Sequence, residues 1–252
     1  MKNVIHGRHA VAEALRAEAS VAEVFIATNA SGPEIDEIKE LASRARIPYR
    51  FVHPEKVRKT AGVRDHQGIA AKIAPVRYRA LDEVLESLGE SAPALMVVLD
   101  GVTNPKNLGM IARSAAGAGA AAIVVTARGE APVDDLAVRA SAGTIFRVPV
   151  VRTAGLGPLV KKLKHCGFWV YGLEAGADRT IYEVEWGRRT ALVVGGEHGG
   201  LRRTVRAGAD ELVAIPLAEG VESLNAAVAA GVALFEVRRR LDAGGGRTAG
   251  RA

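Results

Sequence analysis

Polar side chains among small residues mark the first segment that could do chemistry, residues 99–125. Asn104, Pro105 and Asn107 follow an apolar stretch, and the helical pattern after them carries Arg113 among glycines and alanines. Small residues four positions apart on a helix let another backbone or a ligand come close. The segment therefore predicts a place where a polar or anionic group meets the protein.

Two later segments have the same character. In one, Gly195, Gly196 and Glu197 follow an apolar run, and in the other an Ile-Pro-Leu sequence precedes Ser223 and Asn225. Each segment stands at the end of a strand-like stretch, so strands are the elements that must position these side chains. The three segments are the candidate functional parts of the chain.

The common nucleotide-binding and metal-binding patterns do not fit this sequence. No GxxxxGK[ST] phosphate loop is present, and the glycines near position 117 end a helix instead of opening one, the reverse of a dinucleotide fingerprint. The GGEHGG turn has the wrong spacing and places Glu197 where a pyrophosphate needs positive potential.

His6 and His9, at a predicted helix start, lack other ligands at metal spacing, which favours capping or packing. Cys166 is the only cysteine, which excludes an intrachain disulfide and a cysteine zinc cage.

The composition favours a globular protein with a polyanionic partner. Hydrophobic residues make up 48% of the 252 residues, and the net charge is +6. Aromatic residues make up only 4%, which argues against base stacking as the main mode of nucleic-acid binding. A basic enzyme without such a partner is the alternative.

The charged N-terminus and the short apolar runs predict neither a signal peptide nor a membrane span, and so favour a soluble, cytoplasmic protein.

Residues 44–64 hold the densest positive charge, with seven basic residues against the single acid Glu55. Clustered cations are what contacts to several phosphates require. An ordinary solvated surface explains the same run equally well. The basic residues of this segment are Arg44, Arg46, Arg50, Lys56, Arg58, Lys59 and Arg64.

The periodicity predicts an α/β fold with two units. Residues 1–74 alternate short helices and strands and form a small α/β domain, and residues 75–93 form a charged linker with a short helix. In residues 94–243, apolar strands without polar alternation are separated by helices, which predicts a parallel sheet covered on both faces. The glycine-rich tail 244–252 is predicted to be disordered.

The three segments together resemble the SpoU/TrmH branch of the SPOUT superfamily, the RNA ribose 2′-O-methyltransferases. The resemblance covers residues 94–241, and the start of the chain is similar to the substrate-binding domain of the bacterial 23S rRNA guanosine 2′-O-methyltransferases of this family. The matching motifs are Asn104-Pro105-x-Asn107-x-Gly109-x3-Arg113, Gly195-Gly196-Glu197-x2-Gly200-Leu201-Arg202, and Ile215-Pro216-Leu217 followed by Glu222-Ser223-Leu224-Asn225-x-Ala227.

This resemblance implies a fold, a cofactor and an assembly. The fold is a C-terminal parallel-sheet SPOUT domain tied in a trefoil knot, plus a small N-terminal α/β substrate-binding domain. The methyl donor is S-adenosyl-L-methionine, no metal is needed, and the enzyme works as a homodimer whose active site is completed across the interface. The implied cofactor-binding residues are Gly195, Gly196, Ile215, Leu217, Ser223 and Leu224.

The resemblance also implies roles in catalysis and in RNA binding. It places Arg113 beside the attacking hydroxyl and a substrate phosphate. Because a guanidinium stays protonated, we assign Arg113 as a phosphate clamp, with a phosphate or water receiving the proton. Asn107, Ser223 and Asn225 orient the ribose or Arg113, and Glu197 pairs with Arg113 or holds its loop. The predicted RNA-binding residues are Arg50, Lys56, Arg58, Lys59, Arg64 and Arg202.

Several alternatives remain open at this level. Asn107 and Ser223 each precede a helical pattern and could be N-caps only. The favoured substrate is a guanosine of 23S rRNA. A tRNA ribose is the second candidate, although enzymes of that kind often lack a separate N-terminal domain. A non-catalytic RNA-binding factor for ribosome assembly is the third.

Overall fold

Helices alternate with the strands of two sheets along the chain. The computed structural model describes residues 4–19, 21–127, 129–197 and 199–244. The predicted tail lies outside these residues except for Gly244. Both the α/β class and the division into a small N-terminal unit and a larger C-terminal sheet are confirmed.

The small N-terminal sheet has the strand order β1-β4-β2-β3, with β4 antiparallel to β1 and β2, and β3 parallel to β2. The strand-like runs VAEVFIAT, IPYRFV and GIAAKI of the sequence contain strands β2, β3 and β4. Strand β1 was not predicted, because three residues show no periodicity. The elements are β1 (Val4–His6), α1 (Arg8–Arg16), β2 (Val21–Ala27), α2 (Pro33–Arg44), β3 (Tyr49–Val52), α3 (Pro54–Ala61) and β4 (Ile69–Ile73).

The larger sheet is parallel at every described pairing and has the order β10-β12-β9-β11-β6-β7-β8-β5. A 3₁₀ turn, Thr144–Arg147, precedes β8. The elements are β5 (Tyr78–Arg79), α4 (Leu81–Leu88), β6 (Ala94–Asp100), α5 (Pro105–Gly117), β7 (Ala122–Thr126), α6 (Asp135–Ala140), β8 (Val150–Thr153), α7 (Leu156–His165), β9 (Trp169–Leu173), β10 (Arg179–Thr180), β11 (Arg189–Gly195), α8 (Arg203–Gly208), β12 (Glu211–Ala214) and α9 (Ala226–Asp242).

Strand β6 shows why these apolar runs lack polar alternation. All seven of its residues are buried. Leu95 and Val97 pack in the core cluster on one face of the sheet, whereas Met96 and Val98 pack in the cluster on the other. Helices therefore cover both faces, as a parallel sheet requires.

The segment predicted to be a linker contributes to the larger sheet. Strand β5 pairs with β8, and helix α4 buries Val84 against the second core cluster. The predicted short helix exists, and it is anchored by apolar packing to the C-terminal unit.

The two units contact each other through polar side chains. His6 lies at the end of β1 and not at a helix start, and its Nε2 is 3.0 Å from a guanidinium nitrogen of Arg139. Burial and the nearby Arg139 lower the pKa of His6. Arg147 donates to Glu13 of α1 at 2.9 Å. His6 thus has a packing role at the contact between β1 and α6.

Strands β12, β9, β11 and β6 are neighbours in the sheet, and the three sequence motifs follow three of them. Parallel strands end at the same edge, so this order brings the motifs together. Among the described residues, no helix is long and apolar enough to cross a membrane, and no cluster of His, Cys, Asp and Glu could hold a metal ion.

Candidate active site

The glycine turn after β11 packs directly on the loop after β6. The backbone N–H of Gly196 donates to the carbonyl of Asp100 at 2.8 Å. A Cβ at Gly196 would lie 2.0 Å from the carbonyl oxygen of Gly101, and one at Gly195 would lie 2.4 Å from the carbonyl carbon of Gly200. No larger residue fits at either position. Gly196 lets the turn contact the loop after β6, and Gly195 lets the turn close on itself at Gly200.

A cavity of about 340 Å³ lies beside this turn. Its size is that of a small-molecule site, and its walls combine apolar side chains with exposed backbone. The structure brings all six predicted cofactor-binding residues to this one cavity: Gly195, Gly196, Ile215, Leu217, Ser223 and Leu224.

Two charged residues of the cavity were missed by sequence reasoning. Glu174 follows strand β9, and Arg206 lies on α8, where it pairs with Glu174 at 3.0 Å from Nε to Oε2. Arg206 follows the second motif in the sequence, and its side chain lines the cavity. The available signal for Glu174 was its position, because ligands bind at the carboxyl ends of parallel strands.

Three polar side chains from the three motifs meet at Glu197, which lines the cavity. The Asn107 amide donates to Glu197 Oε1 in a short hydrogen bond. The Asn225 amide donates to Asn107 Oδ1 and to Glu197 Oε1, both at 3.3 Å. Asn107 is 2% exposed, so its hydrogen bonds are shielded from water. We call Asn107, Glu197 and Asn225 the polar triangle.

The capping alternatives are now decided by the helix boundaries. Asn104, not Asn107, is the N-cap of α5, and it accepts from the N–H of Lys106 at 2.9 Å. Asn225, not Ser223, is the N-cap of α9. Its Oδ1 accepts from the N–H of Ala227 at 2.9 Å, and its amide nitrogen donates to Glu197. One side chain therefore caps the helix and belongs to the polar triangle.

Arg113 lies on the exposed surface of α5, outside the residues that line the cavity. The predicted pair of Glu197 with Arg113 is wrong, because Glu197 accepts from the two asparagines instead. Among the described residues, no carboxylate lies within 4.0 Å of the Arg113 guanidinium. Its charge is therefore available to an anion from outside this chain.

Two buried carboxylates fix the loops that carry the polar triangle. Glu130 accepts from the N–H groups of Gly101 and Val102 at 2.6 and 2.7 Å. Asp100 accepts from the N–H of Arg202 at 2.6 Å and pairs with its guanidinium at 2.8 Å. Burial raises the pKa of Glu130. Neither carboxylate was singled out by the sequence, because their partners are amides of distant loops.

The predicted RNA-binding residues fall into two groups by their contacts. Lys56, Lys59 and Arg64 are exposed. The others pair with carboxylates: Arg50 with Glu23 at 2.6 Å, Arg58 with Glu55 at 2.8 Å, and Arg202 with Asp100.

Comparison with known proteins decides the family. Residues 94–235 match the profile of the SpoU rRNA methylase family, and residues 4–79 match that of the RNA 2′-O ribose methyltransferase substrate-binding domain. The chain belongs to the SpoU rRNA methylase family. It is therefore an S-adenosylmethionine-dependent RNA 2′-O-methyltransferase, as the motif resemblance implied.

Similar proteins extend this SpoU assignment over nearly the whole chain. The 23S rRNA (guanosine-2′-O-)-methyltransferase RlmB of Xanthomonas campestris is 42% identical over 243 residues, which cover 95% of this chain and 97% of that protein. The SpoU methyltransferase AviRb of Streptomyces viridochromogenes, solved with AdoMet, has a TM-score of 0.79 at 24% identity and covers 95% of this chain and 90% of its own. A structure from work on 2-OH methylation of C/U34 on tRNA has a TM-score of 0.54 at 27% identity and covers 62% of this chain and 99% of its own.

The cavity suits the cofactor of the SpoU family. Ile215, Leu217 and Leu224 offer an apolar wall for the adenine ring, and the tight glycine turn exposes backbone groups for the polar parts of the nucleoside. Glu197 lends negative charge that suits a cationic ligand, whereas the charge of Glu174 is offset by Arg206 of the same cavity.

Proposed function

We propose that this SpoU enzyme methylates the ribose 2′-oxygen of a guanosine in 23S rRNA, with the methyl group taken from S-adenosylmethionine in the cavity beside the glycine turn. The observation that carries the proposal is the meeting of three distant motifs at one place. Residues 107, 197 and 225 are hydrogen-bonded to one another, and residue 197 lines a cavity together with the six predicted cofactor-binding residues.

Methyl transfer requires this chain to orient the reactants more than it requires acid–base catalysis. The bound cofactor supplies a methyl group on a sulfonium, which is already electrophilic. Correct orientation of reactants can contribute about 7–11 kcal/mol to catalysis. The polar triangle provides a hydrogen-bonded set of polar groups for the ribose, and Ser223 at the cavity adds a hydroxyl. Arg113 holds a substrate phosphate, and that phosphate or a water takes the proton of the 2′-hydroxyl.

The N-terminal domain favours rRNA over tRNA as the substrate. A substrate-binding domain profile matches residues 4–79, and the similarity to the 23S rRNA enzyme spans both domains. The solved structure connected with tRNA covers only 62% of this chain. Ribosomal RNA as the substrate also places the protein in the cytoplasm.

A homodimer completes the active site in this proposal. Helices α5 and α9 pack on each other and leave Met110, Val228 and Phe235 exposed, with Val228 and Phe235 each 52% exposed. Apolar residues that stay in water on adjoining helices are typical of an interface. Arg113 lies on the same helix as Met110 and outside the cavity of its own chain, which supports a role at the active site of a second copy.

Methyl transfer in vitro tests the proposed function. Purified protein with labelled S-adenosylmethionine is expected to methylate 23S rRNA from a strain that lacks the gene, and primer extension should map the product to one guanosine 2′-oxygen. Arg113→Ala is expected to lower the rate by at least about 100-fold, in the range of a lost electrostatic contact at a reacting centre, with cofactor binding unchanged. Exposed Arg203 on α8 serves as the control through Arg203→Ala.

Two outcomes would contradict the proposed function. If wild-type protein binds RNA but labels neither rRNA nor tRNA, the chain is a binding factor. If tRNA is labelled and rRNA is not, the choice of substrate is wrong while the chemistry stands.

A further inference from the structure

An exposed pair of aromatic rings lies on the outer strand of the small sheet. Tyr49 and Phe51 are 37% and 53% exposed, and their ring centroids are 6.2 Å apart in an edge-to-face arrangement. They alternate with Arg50 along β3, so both rings lie on the same face of the sheet. The large apolar side chains of β2 are buried, and in β4 Ile69 is buried and Ile73 half-buried, so the exposure of these two rings calls for an explanation.

Strand β3 is an edge strand. It pairs with β2 alone among the described strands, with Tyr49 opposite Val24 and Phe51 opposite Ile26. Its free edge therefore presents a row of backbone polar groups to solvent, and the two aromatic rings lie on one face of the sheet beside that edge. Edge strands that avoid protein partners usually carry charged side chains in place of large aromatic ones.

Positive charge lies in the chain on both sides of β3, but only the part before β3 lies near the rings. Arg44 is the last residue of α2 and lines a groove with Tyr49, and Arg46 lies in the turn before β3. Lys56 and Lys59 lie on α3, which packs Val57 against Phe25 and Ala27 on the face of the sheet opposite the two rings. Among the described residues, none of these four cations has a carboxylate partner within 4.0 Å. We call Arg44, Arg46, Tyr49 and Phe51 the aromatic rim.

Two acids lie near Tyr49, on α2. Asp36 is paired with Lys39 at 2.7 Å, and Glu40 lies in the same shallow groove as Tyr49. Arg44 and Arg46 add two unpaired positive charges, whereas the charge of Asp36 is offset by Lys39, so the surface around the rings favours an anion.

We infer that the aromatic rim binds an unpaired stretch of the substrate RNA, with bases stacked on Tyr49 and Phe51 and phosphates held by Arg44 and Arg46. Every base has a π face that can stack on an aromatic ring, but only an unpaired base exposes that face. The cations bind phosphates without regard to sequence. This inference rests on the proposed function, because it assigns one binding surface for the RNA that is methylated.

The rim lies far from the methyl-transfer site of the same chain. Strand β1, at the opposite edge of the small sheet, is the strand that contacts α6 of the larger unit. Three strand spacings separate β1 from β3, about 14 Å at 4.7–4.9 Å each. The rim therefore contacts RNA away from the target nucleotide and acts on affinity, not on the transfer step. The low aromatic content argued against stacking as the main binding mode, and this inference assigns stacking a role at the rim only.

The test compares the double variant Tyr49→Ser/Phe51→Ser with wild type in two assays. In the first, a fluorescent single-stranded oligouridylate and a duplex of the same length are titrated without cofactor. In the second, KM for 23S rRNA and kcat are measured separately. We expect the variant to bind the single strand about 10-fold or more weakly, and to raise KM for RNA with kcat within about 2-fold of wild type.

Three controls separate stacking from other causes. Tyr182→Ser removes an exposed aromatic ring from the other unit and is expected to change neither assay. Tyr49→Phe/Phe51→Trp keeps two rings and is expected to restore KM, and the fluorescence of the introduced indole should be quenched when the single strand binds. Unchanged binding of S-adenosylmethionine by every variant shows that the larger unit is intact.

Each remaining outcome contradicts the inference. It is wrong if the serine variant binds the single strand as tightly as wild type, if duplex and single strand compete equally, or if the variant changes the oligomeric state in place of RNA affinity. If wild-type protein binds the single strand through the rim but transfers no methyl group, the proposed function is contradicted and the inference about RNA binding at the rim is not.

Discussion

Asn225 serves the fold and the active site with different atoms of one side chain. Its oxygen caps α9, and its nitrogen donates to Asn107 and Glu197. A sequence pattern can suggest a cap or a site residue but cannot show that one residue is both. The two functions should therefore separate on substitution.

Asn225→Ser is expected to keep the cap and lose the polar triangle. Serine caps helices about as well as asparagine, but its hydroxyl is too short to reach Glu197. We expect a free energy of unfolding close to that of wild type and a kcat at least about 10-fold lower. Asn225→Ala should lose both functions, with about 1 kcal/mol less stability. Urea titration and single-turnover methyl transfer measure the two effects, and equal loss of stability in both variants would contradict this division.

The raised pKa of Glu130 predicts how the rate of methyl transfer depends on pH. Burial raises the pKa of Glu130, so this carboxylate takes up a proton at a higher pH than an exposed glutamate does. A protonated oxygen no longer accepts from an amide, and the hydrogen bonds to Gly101 and Val102 weaken. We therefore expect the rate of methyl transfer to fall as the pH is lowered from about 8 to about 5.

Thr126 provides the matched variant for this pH dependence. Its hydroxyl donates to Glu130 Oε1 at 3.3 Å and favours the ionised form. Thr126→Val should raise the pKa of Glu130 further and move the acidic fall in rate to higher pH. Glu130→Gln, which does not titrate, should be slow at every pH. A Thr126→Val profile that superimposes on that of wild type would exclude Glu130 as the group responsible.

At the scale of elements, the small residues of α5 let other helices approach it. A Cβ at Gly109 would lie 2.3 Å from the carbonyl oxygen of Ala137 and 2.6 Å from the Cβ of Ala140, both on α6. The sequence predicted a close approach by a backbone or a ligand, and at Gly109 the structure shows a backbone. Helix α5 is thus fixed against α6 while it carries Asn107.

Gly109→Ala is expected to destabilise the protein by about 1–3 kcal/mol, because the backbone of α6 must move to admit the methyl group. Gly157→Ala is the matched control, since a Cβ there has no atom within 4 Å, and its stability should be unchanged or slightly higher. Equilibrium unfolding in urea compares the two. Equal stabilities would mean that α5 and α6 adjust to the methyl group without cost.

At the scale of the whole molecule, the exposed surface of α5 and α9 is where a second copy is proposed to bind. Phe235→Asp places a charge on this surface and is expected to give a monomer with at least about 100-fold less methyl transfer. Leu136→Asp, at an exposed apolar residue of α6, is the control and should leave both properties unchanged. Analytical ultracentrifugation measures the assembly, and a fully active wild-type monomer would refute the role of the dimer.

The trefoil knot implied by the resemblance stays a prediction about the whole molecule. Strand order and parallel pairing agree with the SpoU fold. Which loop threads through which is a property of the full chain path, and no residue pattern encodes it.

Local patterns determined much of this protein from its sequence alone. Apolar runs without alternation gave a parallel sheet covered on both faces, and motif spacing placed the candidate residues at strand ends, because both properties depend on residues near one another in the chain. Only the tertiary structure decided that Glu197 meets Asn107 and Asn225 instead of Arg113, that Glu130 holds the amides of Gly101 and Val102, and that Arg206 lines the cavity. These contacts join residues 28 to 90 positions apart and depend on the order of strands in the sheet, which local periodicity does not specify.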